Sequence, residues 1–217
     1  MSRKNRRAER ERPRREAAVP PPRRPDWLVA ALAALGLAVA GYLAATKLAG
    51  GSAMFCRGVG GCEVVQQSRY AMFLGLPTAA WGAGLYAATG ALALAGLSPW
   101  RWLGAFLLAV AGVSFSAYLT YLELFVIGAV CWYCVVSAAT ATGLLGVLLG
   151  RRPPAPGRRA PTRPARVAAL GSLTAIATVL LGIGVFAASA PRGAPGYQEA
   201  LARHLAESGA IMYGAFW

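Results

Sequence analysis

The chain is poor in acid, in histidine and in cysteine: of 217 residues, eight are Asp or Glu, one is His and four are Cys. Its sole imidazole is His204, near the C-terminus. One imidazole rules out a metal site built on several histidines, and no Ser-His-Asp catalytic set is present. A phosphate loop and a Rossmann fingerprint are also missing, which removes the nucleotide-binding classes those motifs serve. Charged residues make up only 14% of the chain against 57% apolar ones, far from the balance of a soluble domain. The sequence has to be read with the bilayer as its solvent.

Five apolar runs reach the length that crosses about 30 Å of hydrocarbon at about 1.5 Å per residue: 27–48, 76–97, 102–124, 127–149 and 167–188. The first is longer than the core of a cleaved signal and is expected to stay as a helix. Lys and Arg are distributed unevenly. Ten precede residue 27, one is Arg101 and six lie in 151–166, while the alternate loops and the tail hold only Lys47, Arg57, Arg69, Arg192 and Arg203. The positive-inside rule makes the first set cytoplasmic, which puts all four cysteines and the C-terminus outside, in a bacterium's oxidising periplasm. The basic N-terminus, which also carries Glu9, Glu11, Glu16 and Asp26 and no interleaved aromatics, reads as a solvated tail. No nucleic-acid partner is expected.

The cysteines form two pairs at predicted ends of the spans. Cys56 and Cys62 lie in 50–75, GGSAMFCRGVGGCEVVQQSRYAMFLG. Glycines 58, 60 and 61 let that loop close a small disulfide or release one sulfur to attack elsewhere, and 62–70 reads as a short helix across the exterior mouth. A static bracing disulfide is the competing reading. Cys131 and Cys134 lie in GAVCWYCVVSA, at the head of the fourth span. C-x-x-C at a helix N-terminus puts both sulfurs on one face, where the helix dipole favours the thiolate. Structural zinc, which would need all four cysteines, and inert buried thiols are the alternatives.

A C-x5-C loop pair, Ser68 six residues after its second cysteine, Leu76-Pro77 with Gly82 at the head of the second span, and then C-x-x-C form an ordered set. It resembles the vitamin K epoxide reductase family of four-helix membrane oxidoreductases. DsbB-like quinone reductases carry their C-x-x-C first, the reverse order. The resemblance implies that Cys134 faces a quinone (menaquinone or ubiquinone) and that Cys131 exchanges with the loop. It implies that Cys62 attacks Cys131, that Cys56 meets a thioredoxin-like or DsbA-like dithiol partner, and that Ser68 lies near the quinone pocket. No metal is expected. Ala138 stands where vertebrate members have a vitamin K-contacting tyrosine. The bacterial branch is therefore the better likeness, with disulfide formation in exported proteins as its implied role.

The expected fold is an all-α integral membrane protein. A basic cytoplasmic tail (1–26) precedes a four-helix catalytic domain (27–150) with an exterior cap loop and its short horizontal helix. A cytoplasmic linker (151–166), a fifth tethering transmembrane helix (167–189) and a periplasmic tail (190–217) follow. In that tail, 197–209 reads as an amphipathic helix and 210–217 as a buried-type strand. Together they resemble the start of a thioredoxin-like domain, truncated before its own C-x-x-C. Trp81, Tyr86, Tyr118, Tyr121, Trp132 and Tyr133 are quinone-pocket candidates, against the plainer reading of interfacial anchors. Glu123 reads as a snorkelling interfacial carboxylate, with proton relay as the sharper alternative. The rival to an enzyme is a membrane scaffold with bracing disulfides.

Overall fold

The computed structural model describes residues 24–51, 53–54, 61–155, 160–189 and 197–209. Most of the basic tail, Cys56 with glycines 58 and 60, the linker segment 156–159, residues 190–196 and the strand expected over 210–217 lie outside the described residues.

Those described are mostly helical. Helix α1 (Trp27–Leu48) starts at Asp26, whose carboxylate accepts the Val29 N–H at 3.2 Å. After a short helix α2 (Cys62–Gln67) come strands β1 (Met72–Phe73) and β2 (Leu76–Pro77), which pair antiparallel with Phe73 opposite Leu76. Their two-residue turn puts Leu74 at φ 52° and Gly75 at φ 81°, the left-handed pair that a tight hairpin requires. Helix α3 (Thr78–Leu94) follows. Helix α4 (Pro99–Leu122), capped by Ser98 with proline at its start, runs into one π-helical turn, Glu123–Ile127. Helices α5 (Trp132–Gly150), α6 (Pro164–Ala188) and α7 (Tyr197–Glu207) complete the order. The expected tail helix is thus present as α7, with Leu201 and Leu205 both partly exposed.

Among the described residues, four helices are long and apolar enough to cross a membrane: Trp27–Leu48, Pro99–Ile127, Trp132–Gly150 and Pro164–Ala188. The span expected over 76–97 is shorter, a helix of 17 residues. Leu76 and Pro77 are taken by the hairpin, and Gly96, at φ 81°, turns the chain away beyond Ala95.

Cross-links fix which ends lie together. The Asp26 N–H donates to Ala93 O at 3.1 Å, Arg151 pairs with the Asp26 carboxylate, and the buried Trp102 indole donates to Leu148 O at 2.8 Å. The start of α1, the ends of α3 and α5 and the start of α4 therefore share one end. Glu123 and Cys131 belong to the opposite end. The main core, with Val29, Trp102, Phe106, Leu144 and Leu148, fills the bundle on the Asp26 side. A second cluster, with Leu43, Cys62, Val65 and Cys131, sits under the cap.

Helix α6 is more than the tether expected of it. A Cβ at Gly171 would stand 3.3 Å from the Phe106 ring, and one at Gly182 would stand 3.1 Å from Tyr118. Both glycines let α6 lie close on α4, the way small residues join helices where lipid supplies no hydrophobic drive between them. At its far end Phe186 packs edge-on to Phe73 of the hairpin at 5.5 Å between ring centres.

Candidate functional site

The C-x-x-C pair is placed by the turn that precedes it. After the π turn, Gly128 adopts φ 70° and the Ala129 N–H donates to Glu123 O at 3.0 Å, which reverses the chain. Cys131 then takes an extended conformation as the N-cap of α5, and Cys134 falls one turn into the helix. Both are free thiols, Cys131 fully buried and Cys134 half-buried. The Glu123 carboxylate accepts the Cys131 N–H at 3.2 Å.

The Cys131 thiol is held below the usual cysteine value, down to about 7. A hydrogen bond from the Cys134 side chain is the largest cause. Burial opposes it, the Cys134 N–H assists it, the Glu123 charge opposes it and the Tyr133 N–H assists it. Neither N–H makes a full capping bond to the sulfur; they act as the positive end of the helix. The thiolate of reduced Cys131 is therefore favoured relative to that of an ordinary cysteine.

Cys62 opens α2 and is itself disulfide-bonded. Its sulfur lies 3.8 Å from that of Cys131, so one loop cysteine and one C-x-x-C cysteine meet in a buried contact. Cys56 lies outside the described residues. The cap that carries Cys62 is pinned at several points. Lys47 Nζ donates to the Gln66 carbonyl at 2.5 Å, a cation on the C-terminal end of α2. The Tyr133 hydroxyl donates to Met54 O at 2.7 Å, and the Met54 N–H donates to the Tyr42 hydroxyl at 2.8 Å. The Trp81 indole donates to Phe73 O at 3.0 Å, and the Thr78 hydroxyl to Tyr70 O at 2.9 Å.

Gly61 makes the closest approach. A Cβ there would overlap Ala129 Cβ and come within 2.8 Å of its Cα and 3.1 Å of the Val130 N. Because the obstacle is backbone, Gly61→Ala must lift the cap and part Cys62 from Cys131. A displacement on the order of 1 Å at a reacting pair slows it roughly 100-fold. Exchange between the loop pair and the C-x-x-C pair, followed by quenched thiol labelling, should fall by that order. Direct reduction of the C-x-x-C disulfide by dithiothreitol should hold its rate; equal slowing of both would show that Gly61 does not govern the docking.

Beneath the cap lies a cavity of about 550 Å³. Its walls are mostly apolar, with Glu123, Cys134, Ser137, Tyr86, Tyr133 and Gln66 among the polar groups that line it. Tyr86 is fixed there. Its hydroxyl donates to Ser137 O at 2.7 Å and shares a hydrogen with Ser137 Oγ at 3.0 Å, while a Cβ at Gly36 would fall inside its ring. Of the aromatic candidates, Trp81, Tyr86 and Tyr133 line the cavity. Tyr118 and Tyr121 do not: Tyr118 stacks on Phe186 against α6, and Tyr121 is exposed beside Phe125. Trp132 is exposed as well. Ser68 closes α2, its hydroxyl donating to Val65 O at 2.7 Å, and lies outside the lining residues.

The structure corrects the reading of Glu123. It is 4% exposed and lines the cavity beside Cys134, where a snorkelling carboxylate would reach water. The signal was in the sequence: no other acidic residue stands between Glu63 and Glu199. Thr178 and Leu181 of α6 also reach the cavity wall, which treating α6 as a tether had missed.

Residues 27–149 match the model of the Vitamin K epoxide reductase family. The chain belongs to that family. The matched stretch runs from α1 almost to the end of α5 and holds every described cysteine, Glu123 and Tyr86; α6 lies beyond it. As a member of the vitamin K epoxide reductase family the chain is a multi-pass membrane protein and an oxidoreductase.

Proposed function

We propose that the chain oxidises a thioredoxin-like or DsbA-like dithiol partner and passes the electrons to a membrane quinone, in support of disulfide formation in exported proteins. The observation that carries this reading is the chain of contacts Cys62 Sγ to Cys131 Sγ at 3.8 Å, with Cys134 one helical turn on and opening onto the cavity. The partner dithiol reduces the Cys56–Cys62 disulfide and leaves as a disulfide itself. With Cys131 and Cys134 oxidised to a disulfide by the quinone, Cys62 attacks Cys131 and expels the Cys134 thiolate, and Cys56 then attacks Cys62, re-forming the loop disulfide and releasing Cys131, which leaves Cys131 and Cys134 as a dithiol. A quinone in the cavity supplies a two-electron acceptor. A cavity of about 550 Å³ with apolar walls and a few convergent polar groups suits such a ring. Tyr86, held by Ser137, and Trp81 would hold such a ring, with Glu123 and Cys134 lining the same cavity.

The bundle is read as five crossings, with α3 the shortest, and the cap over their exterior mouth. In this reading Arg24, Arg101, Arg151, Arg152, Arg163 and Arg166, which lie at the ends and turns on the Asp26 side, face the cytoplasm of a plasma membrane, and the cysteines face outward. The divisions at 26, 150, 166 and 189 belong to the same reading.

The test is quinone-dependent thiol oxidation by the purified chain in liposomes, with a reduced thioredoxin-like protein or dithiothreitol as donor. Cys56→Ser should cut the rate with the protein donor by more than about tenfold and spare much of the rate with dithiothreitol, which reaches the C-x-x-C pair directly. Equal loss with both donors would remove the shuttle. A scaffold with bracing disulfides predicts no quinone-dependent change in thiol labelling at all.

A further inference from the structure

Glu123 carries a cost that packing alone does not offset. An ionisable side chain within a membrane fold is expensive to desolvate, and such groups are kept where they move protons or bind charge. Glu123 meets that expectation by its contacts. It is 4% exposed, accepts the Cys131 N–H at 3.2 Å and lines the same cavity as Cys134. The π turn and the left-handed Gly128 bend the chain so that this carboxylate reaches a residue eight positions on. π turns inside longer helices gather at functional sites.

We propose that Glu123 is the proton acceptor of the Cys131–Cys134 dithiol, taking the Cys134 thiol proton as electrons leave the pair and delivering it to the quinol oxygen formed in the same cavity. The proposal rests on the quinone-reducing reading above and names the base that reading lacks. In the step, a sulfur–sulfur bond forms between Cys131 and Cys134 and two electrons pass to the quinone. One thiol proton travels by way of Glu123. The other leaves Cys131 for solvent, and the second quinol oxygen is protonated from water. Two protons leave the thiols and two arrive on the product. Glu123 lines the same cavity as the Cys134 thiol, so general-base assistance of about 100-fold or more is the scale at stake.

The rival role is structural, with the carboxylate merely holding the 128–131 turn through the Cys131 N–H. Glu123→Gln separates the two, because an amide oxygen still accepts that N–H but takes no proton from a thiol. The full chain in liposomes is pre-reduced and mixed with a short-tailed benzoquinone or naphthoquinone. The Gln variant should oxidise its dithiol about 100-fold more slowly, Glu123→Asp should recover part of the rate, and quinone-free reduction of the C-x-x-C disulfide by dithiothreitol should change by less than about threefold. A second readout needs no turnover. Infrared difference spectra between disulfide and dithiol forms, without quinone, should contain a buried carboxyl band that Glu123→Gln removes.

Quinone-dependent oxidation in Glu123→Gln within about threefold of the unaltered chain overturns the proposal. So does loss of both half-reactions in the Gln and Asp variants alike, which would make Glu123 a structural residue. If the unaltered chain oxidises no dithiol with either quinone, the functional reading itself fails and this one falls with it.

Discussion

Cys131→Ser and Cys134→Ser each lower quinone reduction by more than about a thousandfold, whatever the thiol donor. In the proposed reaction the two sulfurs act as a single redox unit: with one gone, no disulfide forms between them and the two-electron step has no product. Serine keeps the size and a hydrogen-bonding oxygen but has no accessible thiolate. The variants should still fold, since Cys131 contributes a buried contact of a few atoms and Cys134 is half-buried. They should differ in what they leave behind. Cys134→Ser retains the Cys131 thiol beside Cys62 at 3.8 Å, so it should trap partner thiols or Cys62 in mixed disulfides. Cys131→Ser leaves only Cys134, facing the cavity, and should trap neither. Steady-state quinone reduction with dithiothreitol and with a protein donor checks the first claim, and non-reducing electrophoresis checks the second. Normal turnover by either variant would remove the C-x-x-C pair from the reaction.

The helix order and the place of the C-x-x-C were legible because membrane helices announce themselves by length, and the C-x-x-C by its spacing at a span's head. The side-to-side arrangement was not. Tyr118 and Tyr121 sit on the same helix as Ser116, Thr120 and Glu123, which line the cavity, yet both tyrosines turn elsewhere. Which face of α4 looks inward depends on where α6 docks. That docking is set by Gly171 and Gly182, eleven residues and three turns apart on one helical face. The paired glycines were visible in the sequence but read only as part of an apolar run. Leu76-Pro77 shows the opposite failure. It looked like the first residues of a span, and hydropathy alone cannot tell that a Leu-Gly turn folds those residues back onto Met72 and Phe73. Glu123 was misread for a related reason. Sequence gives the depth of a carboxylate along its helix, whereas its burial is decided by the turn after it and by the cap above.

Cys56→Ser should accumulate a disulfide between Cys62 and Cys131. The sulfurs already touch at 3.8 Å in a site that excludes water, and a modest approach brings them to the bond length of about 2.05 Å. Cys62, freed from its loop partner by the substitution, attacks Cys131 and expels the Cys134 thiolate; without Cys56 nothing resolves the new bond. The leaving sulfur then stands in the cavity beside Glu123, where a bound quinone should give a charge-transfer absorption band with it. Gly61, close on Ala129, keeps the attacking sulfur in place, so adding Gly61→Ala should reduce the trapped species by roughly the same factor by which it slows the exchange. Peptide mapping of the Cys56→Ser chain under non-reducing conditions should recover the segments containing Cys62 and Cys131 joined, with Cys134 open to alkylation. Recovery of Cys131 joined only to Cys134, under every donor condition, would mean that the contact seen between loop and helix head carries no electrons.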